Sequence, residues 1–396
     1  MSTKTMTKFK SGILDKFTEI RNDPYAWVAK WKEENKDKKV IAVGIYHFPE
    51  EIVHASGALC FGLQEGLDPI VDAYQYIYPS YCGYSRSIVE MGARGILRIF
   101  DDVIITDICI QLVKAQHIIH RNFPWPRSVL ISPGLDLTKA RNKSDVTEDW
   151  GRIRTRVESK VGHKITDDDI RHSIEVYNKN RSLLRKIHDM RRKNPGLIRA
   201  RNMQAIVVAA MVMPKEENNE LLTQLIAELE KANPPEREGV PVFLCGHLCH
   251  APKIEVLDMI EEMGGIVVDD DLHTGYRYYA KDARADGDPI EALVDRYKQI
   301  DPPCPSRMHP DNNWDLWLLK RAQDAKVKGV IILQPKFCEH QNYAYIWQKK
   351  TLSEAGMDHI LVETEHEMIS LEQIRTKMQA FTEMITAKAM KAKGGK

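Results

Sequence analysis

Short β-branched runs, each long enough for a single strand, recur in two blocks of this chain with helical periodicity between them. In the first block they read VIAVGIY (Val40 to Tyr46), VIIT (Val103 to Thr106) and SVLIS (Ser128 to Ser132), with a weaker run near DPIVDAY. In the second they read VPVFLC (Val240 to Cys245), GIVVDDD (Gly265 to Asp271), GVIILQ (Gly329 to Gln334) and HILVE (His359 to Glu363). Strands that alternate with helices are joined by crossovers and lie parallel, so each block predicts a doubly wound sheet.

A chain of 396 residues is too long for one core, and its 43% hydrophobic content is enough to fill two. The reading is therefore α/β, with two doubly wound parallel-sheet (Rossmann-like) domains over 39–149 and 236–368. An N-terminal helical segment covers 1–38, a helical connection 150–235, and a C-terminal helix and tail 369–396. Within the connection, TDDDIRHSIEVYNKNRSLLRKIHDMRR has helical period, Thr166 as N-cap and aspartates in its first turn. Pro195-Gly196 ends it, and a second helical stretch runs from about Leu221 to Ala232. The tail AKAMKAKGGK reads as a fraying helix end followed by disorder.

With 57 basic against 56 acidic residues the formal net charge is +1, which argues against nucleic acid or an anionic membrane as the main partner. The longest apolar run, Ala205 to Met213, is less than half of the roughly 20 residues a membrane span needs. The segment MSTKTMTKFKSGILDKF lacks the apolar stretch of a signal peptide, so a cytoplasmic location is expected. Seven scattered cysteines argue against a disulfide framework and leave reduced thiols, metal ligands or buried small hydrophobes.

Open α/β sheets bind ligands beyond the carboxyl ends of their strands. Cys109 lies three residues after VIIT, and Cys338 five after VIIL, in QPKFCEH. Cys82, in YPSYCGYSR, precedes the expected helix SRSIVEM. Two of these come from the first domain and one from the second, which places any shared site in the cleft. Their separations of 27 and 229 residues form no compact motif, so the residues alone leave open separate buried cysteines or one metal site.

Other residues have competing readings. CGHLCH sets Cys245, His247, Cys249 and His250 just after a strand, but its spacing fits no common zinc pattern. His247 or His250 is a candidate proton donor, against the plainer reading of a satisfied loop histidine. Cys60, expected after an apolar helix, reads as core, and Cys304, in PPCPSR, as a turn residue. Asp269, Asp270, Asp271 and Arg277 read as a helix cap with an ion pair, or as a cleft wall. Glu51 is either a first-turn acid favoured by the helix dipole or, from its strand-end position, a site carboxylate. The basic stretch from Arg181 to Arg201 reads as a solvated helix face, with docking of nucleotide phosphates as the alternative.

Several segments together resemble the 2-hydroxyacyl-CoA dehydratase and benzoyl-CoA reductase family. YHFPEEIVHASGALCFGL is similar to its early Pro-Glu-Glu segment; YPSYCGYSRSIVEMGARG and DDVIITDICIQL resemble its first two cysteine segments. VGHKITDDDIRHSIEVYNKNRSLLRKIHDMRR, FLCGHLCHAPKIEVLDMIEEMGGIVVDDDLHTGYRYY, KFCEHQNYAYIW and LEQIRTKMQAFTEMI extend the likeness to about residue 386. DDDLHTGYRYYAKDARADGDPIEALVDRY and PPCPSR look most like the smaller of two homologous catalytic subunits of ATP-dependent benzoyl-CoA reductases. The dehydratases often have Cys-Asp where this chain has Cys109-Ile110.

The resemblance implies one [4Fe–4S] cluster on Cys82, Cys109 and Cys338, with a non-cysteine ligand on the fourth iron. It also implies a homologous second catalytic subunit, ATP-hydrolysing electron-activator subunits, ferredoxin as upstream donor and an aromatic acyl-CoA substrate. Glu51 and His247 are the candidate catalytic residues. The chain contains neither G-x-x-x-x-G-K-[ST] nor a G-x-G-x-x-G after a strand, in keeping with ATP hydrolysis residing elsewhere.

Overall fold

The computed structural model describes residues 9–44, 47–123, 128–232, 239–367 and 371–394. Its frame is two four-stranded, all-parallel sheets. The first contains β1 (Val40–Val43), β2 (Leu59–Gly62), β3 (Asp102–Thr106) and β4 (Ser128–Ile131), in the order β2-β1-β3-β4. The second contains β5 (Val240–Gly246), β6 (Gly265–Asp270), β7 (Gly329–Pro335) and β8 (His359–Thr364), in the equivalent order β6-β5-β7-β8. In each sheet the second strand pairs on one side of the first and the third on the other. The exit loops of the two central strands therefore diverge and leave a crevice at their carboxyl ends.

The helices, in chain order, are α1 (Gly12–Asn22), α2 (Pro24–Glu34), α3 (Glu50–His54), α4 (Gly83–Ala93), α5 (Ile110–Asn122), α6 (Ala140–Val161) and α7 (Asp167–Lys193). They continue with α8 (Ala200–Val212), α9 (Lys215–Lys231), α10 (Ile254–Glu262), α11 (Pro289–Lys298), α12 (Trp314–Asp324), α13 (Glu339–Glu354) and α14 (Glu372–Gly394). None is long and apolar enough to cross a membrane among the described residues.

Alternate strand residues point to opposite faces, and each face has its own cover. Ile41, Val43 and Ile104 pack under α3, α6, α7 and α11, whereas Val40, Ala42, Val103 and Ile105 pack under α1, α4, α5 and α8. In the second sheet Val242, Leu244 and Ile331 meet α10 and α14, and Phe243, Cys245 and Ile332 meet α12. The connecting helices thus complete the first domain's core. Helix α8, which includes most of the apolar run noted above, is buried from Met203 to its end in that core, while Ala200 at its start joins the second. A helix between two cores has no solvent face, hence its lack of amphipathic signal.

The α7 start matches its sequence signal: Thr166 caps the Asp169 N–H and Asp169 returns the bond to Thr166. The run near DPIVDAY is not a strand. The Ile70 N–H donates to Glu367 at 2.6 Å and those of Val71 and Ala73 to Glu90 at 3.0 and 2.7 Å, so side-chain carboxylates satisfy what a sheet neighbour would. The first sheet's remaining strand is LCFG, so Cys60, which follows α3 as expected, is a buried core residue within β2. β1 ends at Val43, and residues 45 and 46 of its expected span lie outside the described residues.

The basic stretch is only partly a solvated face. Arg181 is buried on Glu51, and Arg191 is buried 2.9 Å from Asp270. Arg185 pairs with Asp282, Lys186 with Glu230, Arg192 with Asp269, and Arg199 and Arg201 with Asp258. Charges neutralised in this way do not form a phosphate-docking patch.

Candidate functional site

Cys82, Cys109 and Cys338 come together at the carboxyl ends of both sheets and line one apolar cavity. Each sits at the first position of a helix: Cys82 is the N-cap of α4, Cys109 of α5 and Cys338 of α13. Cys109 follows β3 by three residues and Cys338 follows β7 by three, so the two occupy equivalent places in the two sheets. Three helix N-termini therefore aim their positive ends and free N–H groups at the space between the sulfurs. Leu112 N–H reaches Cys109 Sγ in this way, at 3.4 Å.

Gln111, which the sequence reading did not single out, holds the three segments in register. Its Oε1 accepts the Cys82 N–H at 2.7 Å, and its Nε2 donates to the Phe337 carbonyl at 2.9 Å. A buried amide two residues after Cys109 thus ties the other two cysteine loops together across the cleft. A second clamp comes from the loop after β8: Glu365 pairs with Arg86, and His366 Nδ1 lies 2.7 Å from Glu65. Gly83 fits beneath it, since a Cβ there would lie 2.8 Å from that of His366.

Two more cysteines line the cavity, Cys249 from the loop after β5 and Cys304 from the connection between β6 and β7. The Cys304 sulfur lies 3.3 Å from His47 Nε2 and 3.1 Å from Ser306 Oγ. Both were visible in sequence only as strand-end and proline-flanked residues, because their approach is set by the docking of the two sheets. Burial, and then the neighbouring Cys82, push the Cys109 and Cys338 thiols up to about 12; burial also raises Cys82. Without a cation the sulfurs are neutral thiols, and a metal charge is what would hold them as thiolates. Among the described residues no group of three His, Cys, Asp or Glu side chains converges enough to hold a single metal ion.

His247 and Glu51 are placed differently. His247 takes a left-handed backbone (φ 50°), is buried, and bonds Thr364 Oγ1 through Nε2 at 2.8 Å. His250, unlike His247, lines the cavity, as does His340; its ring is stacked on Tyr84 with planes 9° apart and lies 4.4 Å from that of His247. Burial lowers the pKa of both. Glu51 lies outside the cysteine cavity. Burial alone would push its carboxyl up, but Arg181 and then Arg296 hold it down at about 2. Its charge is spent on joining α3 to α7 and α11.

The Asp269–Arg277 segment is an interior network. Asp271 pairs with Arg277 at 3.2 Å, both fully buried, and accepts from Trp314 Nε1 at 2.6 Å and Gly246 N–H at 2.9 Å. The ion pair is as expected, and although Leu272 at the start of the next turn gives no cap itself, Asp270 Oδ1 accepts the Leu272 and Tyr276 N–H groups at 3.3 and 2.9 Å.

Two parallel-sheet domains of equal strand order, with a cysteine-lined cleft at their shared strand ends, define the class of protein. The family model described as 2-hydroxyglutaryl-CoA dehydratase, D-component, matches residues 45–385, and the chain belongs to that family. It is 25% identical to the (R)-phenyllactyl-CoA dehydratase beta subunit of Clostridium sporogenes, over 93% of this chain and 97% of that one. It is 28% identical to a benzoyl-CoA reductase subunit of Thauera aromatica, over 78% and 81% respectively. It is also 25% identical to the (R)-2-hydroxyglutaryl-CoA dehydratase beta subunit of Acidaminococcus fermentans, over 95% and 99%.

Proposed function

We propose that the chain is the iron–sulfur subunit of an aromatic acyl-CoA reductase, with one [4Fe–4S] cluster held by Cys82, Cys109 and Cys338. The observation that carries this reading is that all three cysteines N-cap helices around one apolar cavity. The donor set fits the group. Iron–sulfur clusters are held by cysteine thiolates, and here three cysteines from both sheets line one apolar cavity. When bound, the cluster would supply single electrons at low potential.

The protein's contribution is electrostatic and geometric. Cys82, Cys109 and Cys338 would hold the group, and the same burial that raises the bare Cys109 and Cys338 thiols would disfavour added negative charge there. The helix N-termini offset part of that cost. Gln111 and the Glu365–His366 loop hold the two halves of the cleft together. Electrons would come from ATP-hydrolysing activator subunits fed by ferredoxin, and would pass to a homologous subunit at the cleft. Exposed Tyr78, Ile110, Met308, Tyr343, Ile346 and Trp347 lie on segments that enter or leave the cleft, and an apolar rim of this kind suits a protein partner.

The reductase reading draws on the 28% identity with the benzoyl-CoA reductase subunit, the higher of the values above, and on Ile110 in place of an aspartate after Cys109. A dehydratase of 2-hydroxyacyl-CoA is the second reading, favoured by the fuller coverage of the phenyllactyl-CoA dehydratase subunit. The complex, purified without oxygen, is to be assayed with ATP and reductant on benzoyl-CoA and on (R)-phenyllactyl-CoA. Ring reduction to a cyclohexadiene thioester supports the first reading. Water loss from the hydroxyacyl thioester alone replaces it with the second.

A further inference from the structure

Five arginines are buried among the described residues, and four of them face a carboxylate. Arg86 pairs with Glu365, Arg181 with Glu51, Arg191 with Asp270 and Arg277 with Asp271. Arg307 is the exception. It is 4% exposed, and its guanidinium donates to neutral oxygens: Ser306 O at 2.9 Å, Ser306 Oγ at 3.3 Å and Asp107 O at 3.2 Å. Its Nε makes no hydrogen bond, and its central carbon lies 5.4 Å from the centre of the Tyr297 ring. Acids on the neighbouring loops are turned elsewhere: Asp107 accepts from Ser132 Oγ at 3.0 Å, and Glu339 is exposed at the start of α13. Buried charges in proteins are paired or meet a metal group, because an unpaired one is costly.

The fold fixes this charge at the wall of the cysteine cavity. In PPCPSR the Arg307 N–H closes a turn onto Cys304 O at 3.1 Å, and Asn312 Nδ2 donates to Cys304 O and Arg307 O, each at 2.6 Å. Met308 then exchanges hydrogen bonds of 3.0 Å with Leu135 and Leu137, on the loop after β4. The Ser306 Oγ that Arg307 reaches lies 3.1 Å from Cys304 Sγ, and Ser306 and Cys304 both line the cavity. Asp107, whose carbonyl takes the other end of the guanidinium, stands two residues before Cys109. The charge is felt nearby: after burial, Arg307 comes first among the cations that lower the pKa of His47, ahead of Lys281, His273 and Arg277.

We propose that Arg307 is the counter-ion of the cluster, a charge left unpaired by the protein's own carboxylates and paired by the anionic group that the cavity holds. This rests on the iron–sulfur reading above. Three thiolates outweigh the positive charge of the cubane core, so the bound group is an anion, and reduction adds a further negative charge. A fixed cation beside it favours thiolate over thiol and the reduced cluster over the oxidised one, which offsets part of the cost of burial. Arg307 touches no substrate in this account; it acts through the charge it places at the cavity wall.

The test uses the full chain as wild type, Arg307→Lys and Arg307→Gln, each loaded with iron and sulfide without oxygen. Iron content and circular dichroism verify loading and folding, and an EPR-monitored redox titration gives the midpoint potential. Arg307→Gln should keep its fold, reduce at a more negative potential than the wild type and lose iron faster to a chelator. Arg307→Lys, which keeps the charge, should stay close to the wild type in both. In the cluster-free chains the sign reverses: Arg307→Gln should melt at or above the wild-type temperature, since it no longer buries an unpaired charge. Equal midpoints in the wild type and Arg307→Gln overturn the proposal but keep the cluster. An Arg307→Lys midpoint displaced as far as that of Arg307→Gln assigns the effect to hydrogen-bond geometry and overturns it too. A cluster-free Arg307→Gln that melts well below the wild type assigns Arg307 to the fold, with the same consequence. If Arg307→Gln is folded but takes up no iron, Arg307→Lys decides: loading with the wild-type midpoint supports the proposal, and failure to load overturns it. Inorganic phosphate that raises the melting temperature of the cluster-free wild type, but not of Arg307→Gln, makes a free anion the partner and overturns it as well. A folded wild type that takes up no iron overturns the underlying reading.

Discussion

At the residue scale, the three helix-capping cysteines and the amide that ties them carry different weights. Cys82→Ala, Cys109→Ala and Cys338→Ala should each lose most of the bound iron, measured after anaerobic purification. Cys60→Ala, whose sulfur lies within β2, should keep it. Gln111→Ala removes two hydrogen bonds at about 1 kcal/mol each and leaves a buried N–H and carbonyl exposed to the cavity. A loss of roughly 2 kcal/mol in urea unfolding, with iron released faster to a chelator, is expected; unchanged iron release would show that the loops hold their places without it.

Glu51 is a separate residue-scale test, because it is structural. Its carboxyl sits at about 2 in the folded protein against an ordinary 4.5. A folded pKa below the unfolded one gives stability that is complete above about pH 4.5 and lost as pH falls towards 2. The pair should contribute about 3 kcal/mol on this account. Glu51→Gln, which strands Arg181 in the interior, should cost roughly 3–5 kcal/mol at neutral pH and flatten the acid limb of stability. An acid limb as steep in Glu51→Gln as in the wild type would assign it to other carboxylates.

At the scale of elements, helix starts are the recurring device, and they serve two ends. The α7 start is a capping box with no link to the cleft, so Thr166→Ala should cost about 1 kcal/mol and leave iron content unchanged. The α4 start is set by close approach. Gly83→Ala puts a methyl against His366 and Glu65, and overpacking of this kind costs about 1–3 kcal/mol. Because the displaced backbone is next to Cys82, the variant should lose iron as well as stability. Thermal melts with parallel iron assays separate the two helices, and equal iron retention in both would detach α4 from the site.

At the scale of the molecule, two sheets of the same strand order face each other with their carboxyl ends at one cleft. The segment Asp269–Arg277, which leaves β6 at that end, could have met a partner, but apart from the half-buried Tyr276 it is already buried within the chain. The partner surface is instead expected on the exposed rim of Tyr78, Ile110, Met308 and the α13 residues Tyr343, Ile346 and Trp347. Hydrogen exchange of the free chain and of the heteromer should show protection at 74–82, 108–112 and 338–348. Protection confined to the outer faces of α6 and α7 would put the interface elsewhere.

Local signals determined much of this in advance. Seven of the eight strands, the capped start of α7 and the strand-end positions of Cys109 and Cys338 follow from β-branched runs, caps and short loops. Each depends on neighbours in the chain. What only the tertiary structure decided depends on groups far apart in sequence. LCFG is a strand because β1 lies beside it, and the run near DPIVDAY is not, because Glu90 and Glu367 take its N–H groups. The arginines of α7 are interior because Glu51 and Asp270 meet them there. Cys249, Cys304 and Gln111 belong to the cleft because two sheets of like topology dock at their carboxyl ends, and no spacing along the chain encodes that docking.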